Sequence, residues 1–194
     1  MKLITLFVFG VALLSSMSFA QAPAAAQAPA AAPVSSPEID KALQAIAANL
    51  REEATVIKWK SDFSYETLKK GTGRLVCYDR SGQPLQQPFS IECTSIGTLE
   101  RVAQNMKFEA VGDKAKAQAL LDAAEKDGTR VKPEYGSMWF NFMGASEDKA
   151  RRHTTIAVPG GTTQSTGLPD NRNQGGAWVM NPGTSTAHIM VPGS

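Results

Sequence analysis

Two cysteines and two histidines carry most of the chemistry available to this chain. Cys77 and Cys93 bound the stretch VCYDRSGQPLQQPFSIEC and lie 16 residues apart. Thiols can form a redox pair, a metal site or a staple. The spacing is not the C-x-x-C of redox motifs. No histidine or further cysteine stands nearby to complete a metal site. An even cysteine count in an exported chain favours a disulfide. Gly82, Pro84 and Pro88 suit a segment that folds back between the two thiols. Closing such a loop stabilises a fold by roughly 3 kcal/mol in the chain-entropy model.

The histidines are His153 and His188. A small hydrolase would need His188 as its base, yet no G-x-S-x-G nucleophile elbow occurs. His188 lies in AHIMVPG, where strand alternation places it on one face with Met190. That pair could bind copper or haem iron. One strand supplies at most two ligands, however, and the C-x-x-C-H haem attachment is missing. The competing reading is a packed histidine with a satisfied hydrogen bond. His153 follows Arg151 and Arg152 and reads as a surface residue.

Aromatic residues offer a different chemistry. Trp59, Trp139, Phe140, Phe142 and Trp178 can line an apolar ligand pocket or build the core of a sheet. The candidate ligand-binding set is Trp59, Trp139, Asn141, Trp178, His188 and Met190. Its discriminating feature is whether Asn141 and His188 face the same cavity.

The elements that must position these residues begin after an export signal. Lys2 precedes an apolar run from Leu3 to Leu14, and Ser18-Phe19-Ala20 is a small-x-small cleavage site. Residues 1–20 therefore read as a secretory signal peptide cut before Gln21. No cysteine near the cut would support a lipid anchor, and no later segment is apolar enough to span a membrane. Residues 21–34 are an Ala/Pro-rich flexible linker. Residues 35–194 are long enough for one domain with its own core. The formal net charge of the whole chain is only +2, so nucleic acid is not an expected partner.

Within the domain, Ser35 and Glu38 form a capping-box pattern, and Ile39, Leu43, Ile46 and Leu50 predict a helix over 35–53. Residues 54–59 (ATVIKW) predict a strand. Residues 67–77 predict two short strands around a Gly71-Thr72-Gly73 turn, with φ positive at the glycines. A phosphate loop is the alternative for GTG, but no helix follows it. Further helices are predicted over 95–108 and 113–126, the latter capped by Asp113 and ending near Gly128. The second of these carries a modest apolar face of Ala117, Leu120, Leu121 and Ala124. Strands are predicted over 138–143, 153–158, 177–180 and 187–191, with a long polar loop over 159–176.

Taken in order, these landmarks resemble a group of small secreted bacterial proteins with no assigned function. The shared layout is a helix, then ATV-x-x-W (Ala54 to Trp59), then L-x-x-GT-x-G-x-x-C (Leu68 to Cys77). A second cysteine, a helix and an aromatic strand ending at Gly144 follow. The chain closes on Trp178-Val179 and on H-x-M-x-x-P (His188, Met190), though the last element here is HIMVP, one residue shorter. The charged helix over 113–126 and the form of the long loop depart from that layout. The resemblance implies an exported single domain and transfers no catalytic residue.

The resulting expectation is an α+β domain: a small antiparallel sheet, two to three packing helices and one disulfide. The leading functional expectation is a non-enzymatic binding or interaction module of the periplasm or cell exterior. Its partner would be a small molecule or a protein, and no cofactor is implied. The alternatives are a small secreted hydrolase and a metal- or haem-binding protein using His188 and Met190.

Overall fold

The computed structural model describes residues 36–193. The expected signal peptide (1–20), the expected linker (21–34) and Ser35 lie outside the described residues. Ser36 caps the first helix, its hydroxyl accepting from the Ile39 amide at 3.3 Å. Helix α1 (Pro37–Ala42) starts with proline, whose missing N–H costs nothing in a first turn. The predicted long helix does not form. The chain continues as two 3-10 turns, Leu43–Ala45 and Ala48–Leu50, with Ile46 extended between them. A continuous helix would point Ala45 away from the stripe of Ile39, Leu43 and Ile46. The break buries all four against the sheet and leaves Leu50, expected in the core, 37% exposed.

Strands β1 (Thr55–Trp59), β2 (Tyr65–Lys69), β3 (Leu75–Asp79) and β4 (Phe89–Ser95) follow. A 3-10 turn at Ile96–Thr98 leads into α2 (Leu99–Glu109). Ile96, inside the span of the helix expected over 95–108, is exposed in that turn. Helix α3 (Lys114–Lys126) is capped by Asp113, which accepts from the Lys116 amide at 2.8 Å. Strands β5 (Met138–Gly144) and β6 (Arg151–Ala157) precede the expected long loop. That segment holds a one-turn helix α4 (Thr163–Thr166) with a Thr162/Ser165 capping box, so it is not structureless. Strands β7 (Trp178–Met180) and β8 (His188–Pro192) close the chain.

The sheet is larger than expected, and it is mixed. Its eight strands run β2-β1-β3-β4-β5-β6-β8-β7, with β1 and β3 parallel and every other pair antiparallel. β2 and β3 are not a hairpin, because β1 lies between them. The link from β2 to β3 instead crosses the start of β1. Gly71 and Gly73 serve that crossing, and neither has a positive φ. A Cβ on Gly71 would sit 2.1 Å from the Glu53 carbonyl oxygen. The Gly73 amide donates to that same oxygen at 2.8 Å. Close backbone approach, not turn geometry, is what requires glycine there.

Strand alternation divides the side chains between two faces. One face presents Val56, Cys77, Phe89, Ile91, Cys93 and Phe142 to α1 and the 3-10 turn after it. The other presents Ile57, Val76 and Tyr78 to Leu99, Val102 and Met106 of α2. The described chain is thus a sheet with a helical layer on each side. Cys77 and Cys93 are directly opposite on β3 and β4 and form a fully buried disulfide.

Candidate functional site

On the second face, Leu99, Val102 and Met106 of α2 pack against Ile57 of β1 and Val76 and Tyr78 of β3. Further along, α3 and the segment after it stand over β5, β6 and β8, and a cleft of about 480 Å³ opens there. Its floor is Trp139 of β5, Thr155 and Ala157 of β6, and His188 of β8. Its walls include Arg101 and Asn105 of α2, Leu121, Asp122 and Glu125 of α3, and Arg130. The register explains the floor. Trp139 lies opposite Thr155, and Ala157 lies opposite His188.

Trp139 is held by a hydrogen bond. Its indole N–H donates to Glu92 Oε2 at 3.0 Å. Glu92 is 4% exposed and belongs to a polar cluster beneath α2. Arg80, 2% exposed, donates to Glu109 Oε2 at 2.6 Å and comes within 4.0 Å of Glu92 Oε1. Burial pushes the Glu92 carboxyl up despite the Arg80 charge and the Trp139 bond, which pull it down. Tyr78 faces Glu92 across β3 and β4. Burial first, then the Glu92 charge, pushes the Tyr78 phenol well up, although its hydroxyl makes no well-directed hydrogen bond.

His188 is oriented from its own turn. Nδ1 lies 2.8 Å from the Thr186 carbonyl oxygen. A carbonyl only accepts, so Nδ1 carries the proton and donates, which directs Nε2 away from the turn. The partner is thus a backbone carbonyl and not the carboxylate that orients a hydrolase base. Among the described residues, no group of three or more His, Cys, Asp or Glu is placed to hold a metal ion.

The structure scatters the rest of the candidate set. Asn141 is 7% exposed, sits between Glu92 and His153 in register, and does not line the cleft. Asn141 and His188 therefore share a sheet face but not a cavity. Met190 follows the alternation and shares His188's face, where it lies between Thr155 and Trp178, outside the cleft. Trp59 lines a separate cleft of about 280 Å³ with Phe63, Pro84 and Met106. Its indole N–H is buried there without an acceptor. Phe140 and Phe142 belong to the opposite face of the sheet. His153 is not a surface residue: it is half-buried beside Asn141, and burial, with the nearby His188 charge, lowers its pKa.

Sequence reasoning missed Arg101, Arg130, Arg80 and Glu92. Arg101 and Arg130 are 7% and 6% exposed. For Arg101 there was no signal, because it stands two residues from Leu99 and so lies off the Leu99, Val102 and Met106 stripe of its helix. The available signal was positional. Arg80 and Glu92 continue the alternation of Tyr78 and Thr94 on strands whose other face holds the cysteines.

Comparison with protein-family models, curated proteins and solved structures found no match to this chain.

Proposed function

We propose that this chain is an exported, non-enzymatic binding module of the periplasm or cell exterior, which holds a small molecule in the cleft between α2–α3 and β5, β6 and β8. The observation that carries this reading is the cleft itself. An aromatic floor residue, Trp139, is fixed by its bond to Glu92, and polar groups from α2, α3, β6 and β8 converge around it. Small-molecule sites are concave and use convergent polar groups to orient a ligand on an apolar surface; here the lining is mostly polar, and Trp139 supplies the aromatic surface. Binding is favoured over hydrolysis because the His188 ring is tied to a backbone carbonyl and no side-chain hydroxyl is hydrogen-bonded to it among the described residues. Export is supported by the Lys2, Leu3–Leu14 and Ser18-Phe19-Ala20 pattern and by the buried disulfide. No helix of the described residues is long and apolar enough to cross a membrane.

The test is native mass spectrometry of the full chain exported from a bacterial host, beside its denatured mass. The expected result is loss of residues 1–20, an oxidised cysteine pair and extra mass in the native spectrum alone. A Thr155→Trp variant, which fills the cleft, should lose that extra mass while staying folded. Extra mass that survives Thr155→Trp, or a native mass equal to the bare oxidised chain, would overturn the binding reading. A retained N-terminus would overturn export.

A further inference from the structure

We propose that the cleft recognises the carboxylate of a small organic monoanion, with Arg101 and Arg130 as its ligands. This inference rests on the reading that the cleft is the binding site.

Both arginines lie in the cleft wall and are more than nine-tenths buried. Buried charges are normally paired with an opposite charge, yet neither guanidinium has a carboxylate at ion-pair distance among the described residues. The ion pairs of the described residues join Lys41 to Asp79, Lys58 to Glu38, Arg74 to Glu134, and Arg80 to Glu92 and Glu109. Arg130 donates instead to the neutral side-chain oxygens of Gln104 and Asn105, and its Nε is buried with no acceptor. Arg101 donates to the Val131 carbonyl. The two guanidiniums also oppose each other. Burial and then the Arg101 charge lower the Arg130 pKa to about 10. Burial lowers Arg101 as well. An entering anion would supply the direct ion pair that Glu125 and Glu109 do not make with them, and a carboxylate matches the planar donor fork of arginine.

The rest of the wall restricts the charge of that anion. Glu125 is committed to the Ser185 amide and hydroxyl, Asp122 to Gln118, and Glu109 to Arg80 and Gln86. Their charges reach the arginines only through space, Glu125 raising the pKa of both and Glu109 that of Arg130, and the same field opposes a dianion. A monovalent carboxylate is therefore favoured over phosphate. Trp139 supplies a fixed flat surface for the ligand's apolar body.

The experiment is calorimetry and thermal unfolding of the full exported chain with three probes: phenylacetate, its neutral isostere phenylacetamide, and inorganic phosphate. Phenylacetate should bind and raise Tm, and the other two should not. Arg101→Gln and Arg130→Gln should each weaken phenylacetate at least tenfold. Thr155→Glu places a carboxylate on the cleft floor, so it should raise the Tm of the ligand-free protein and abolish the phenylacetate response. If the glutamine variants fail to fold, Thr155→Glu decides alone, and a phenylacetate response that persists in it overturns the inference. Equal binding of the amide, preference for phosphate, or full affinity in the glutamine variants also overturns it. Amide binding that Thr155→Trp blocks would leave the cleft as a ligand site and remove only the anion. Failure of every probe, with a bare native mass, would remove both.

Discussion

The two faces of the sheet are built from different chemistry. The face under α1 buries Val56, Ile91, Phe89, Phe142 and the Cys77–Cys93 disulfide, with no titratable side chain among its core residues. The face under α2 and α3 buries Arg80, Glu92, Arg101, Arg130 and Asn141 beside Ile57, Val76 and Val102. Apolar burial contributes stability in proportion to area and needs no partner. Buried charge costs free energy unless it is paired and hydrogen-bonded. On the proposed reading, a molecule that keeps its buried charges on one face and its staple on the other separates the work of holding the fold from the work of meeting a ligand. The outer layers differ in the same way. All four of Ile39, Leu43, Ala45 and Ile46 are buried on the sheet, whereas α3 buries only Ala117 and Ala124 and leaves Leu120, expected on its apolar face, 41% exposed.

Four variants can break or sharpen this contrast. Ile91→Ala should have the largest effect. Ile91 is fully buried beneath α1, and the cavity should cost about 4 kcal/mol in denaturant unfolding. Thr155→Ala on the half-buried cleft floor should cost less than about 0.5 kcal/mol. Equal losses at the two sites would refute a division between a structural and a functional face. Next, replacing Cys77 and Cys93 together by alanine should remove roughly 3 kcal/mol, mainly through the entropy of the unfolded chain. Because that cost lies in the unfolded state, the native circular dichroism spectrum should stay unchanged; a rearranged spectrum would show that the bond shapes the native sheet. The smallest effect is in pH dependence. Glu92 has a folded-state pKa raised above 4.5 by burial, so the folded state binds the extra proton. Its contribution to stability is complete below pH 4.5 and is lost as pH rises through the folded value. Glu92→Gln should erase that decline, so the variant gains on wild type as pH rises. Parallel stability curves for the two proteins would mean that Arg80 fully compensates Glu92.

The parts of the fold that were legible before the structure are those set by neighbours in the chain. The two cysteines had only each other, Asp113 stood where a helix needs an acceptor, and the aromatic run at 138–143 and the closing segments had strand character. Capping, alternation and turn chemistry act over a few residues, so they are written in short stretches of sequence. The candidate site was legible only in fragments. Trp139 and His188 meet in one cleft, but Asn141, Met190, Trp178 and Trp59 do not join them there.

Tertiary structure decided the rest. The helix expected over 35–53 broke because docking on the sheet could bury Ala45 with Ile46 only if the chain turned. Gly71 and Gly73 read as a hairpin tip, but β1 took the place between β2 and β3, and the glycines became a crossing point for two backbones. Arg101 and Arg130 carry ordinary surface chemistry in the sequence. Their burial without a direct ion pair arises only where α2, α3 and the strands β5, β6 and β8 meet. Local propensity is a property of adjacent residues, whereas strand order and the desolvation of a charge depend on segments far apart in the chain that only folding brings into contact.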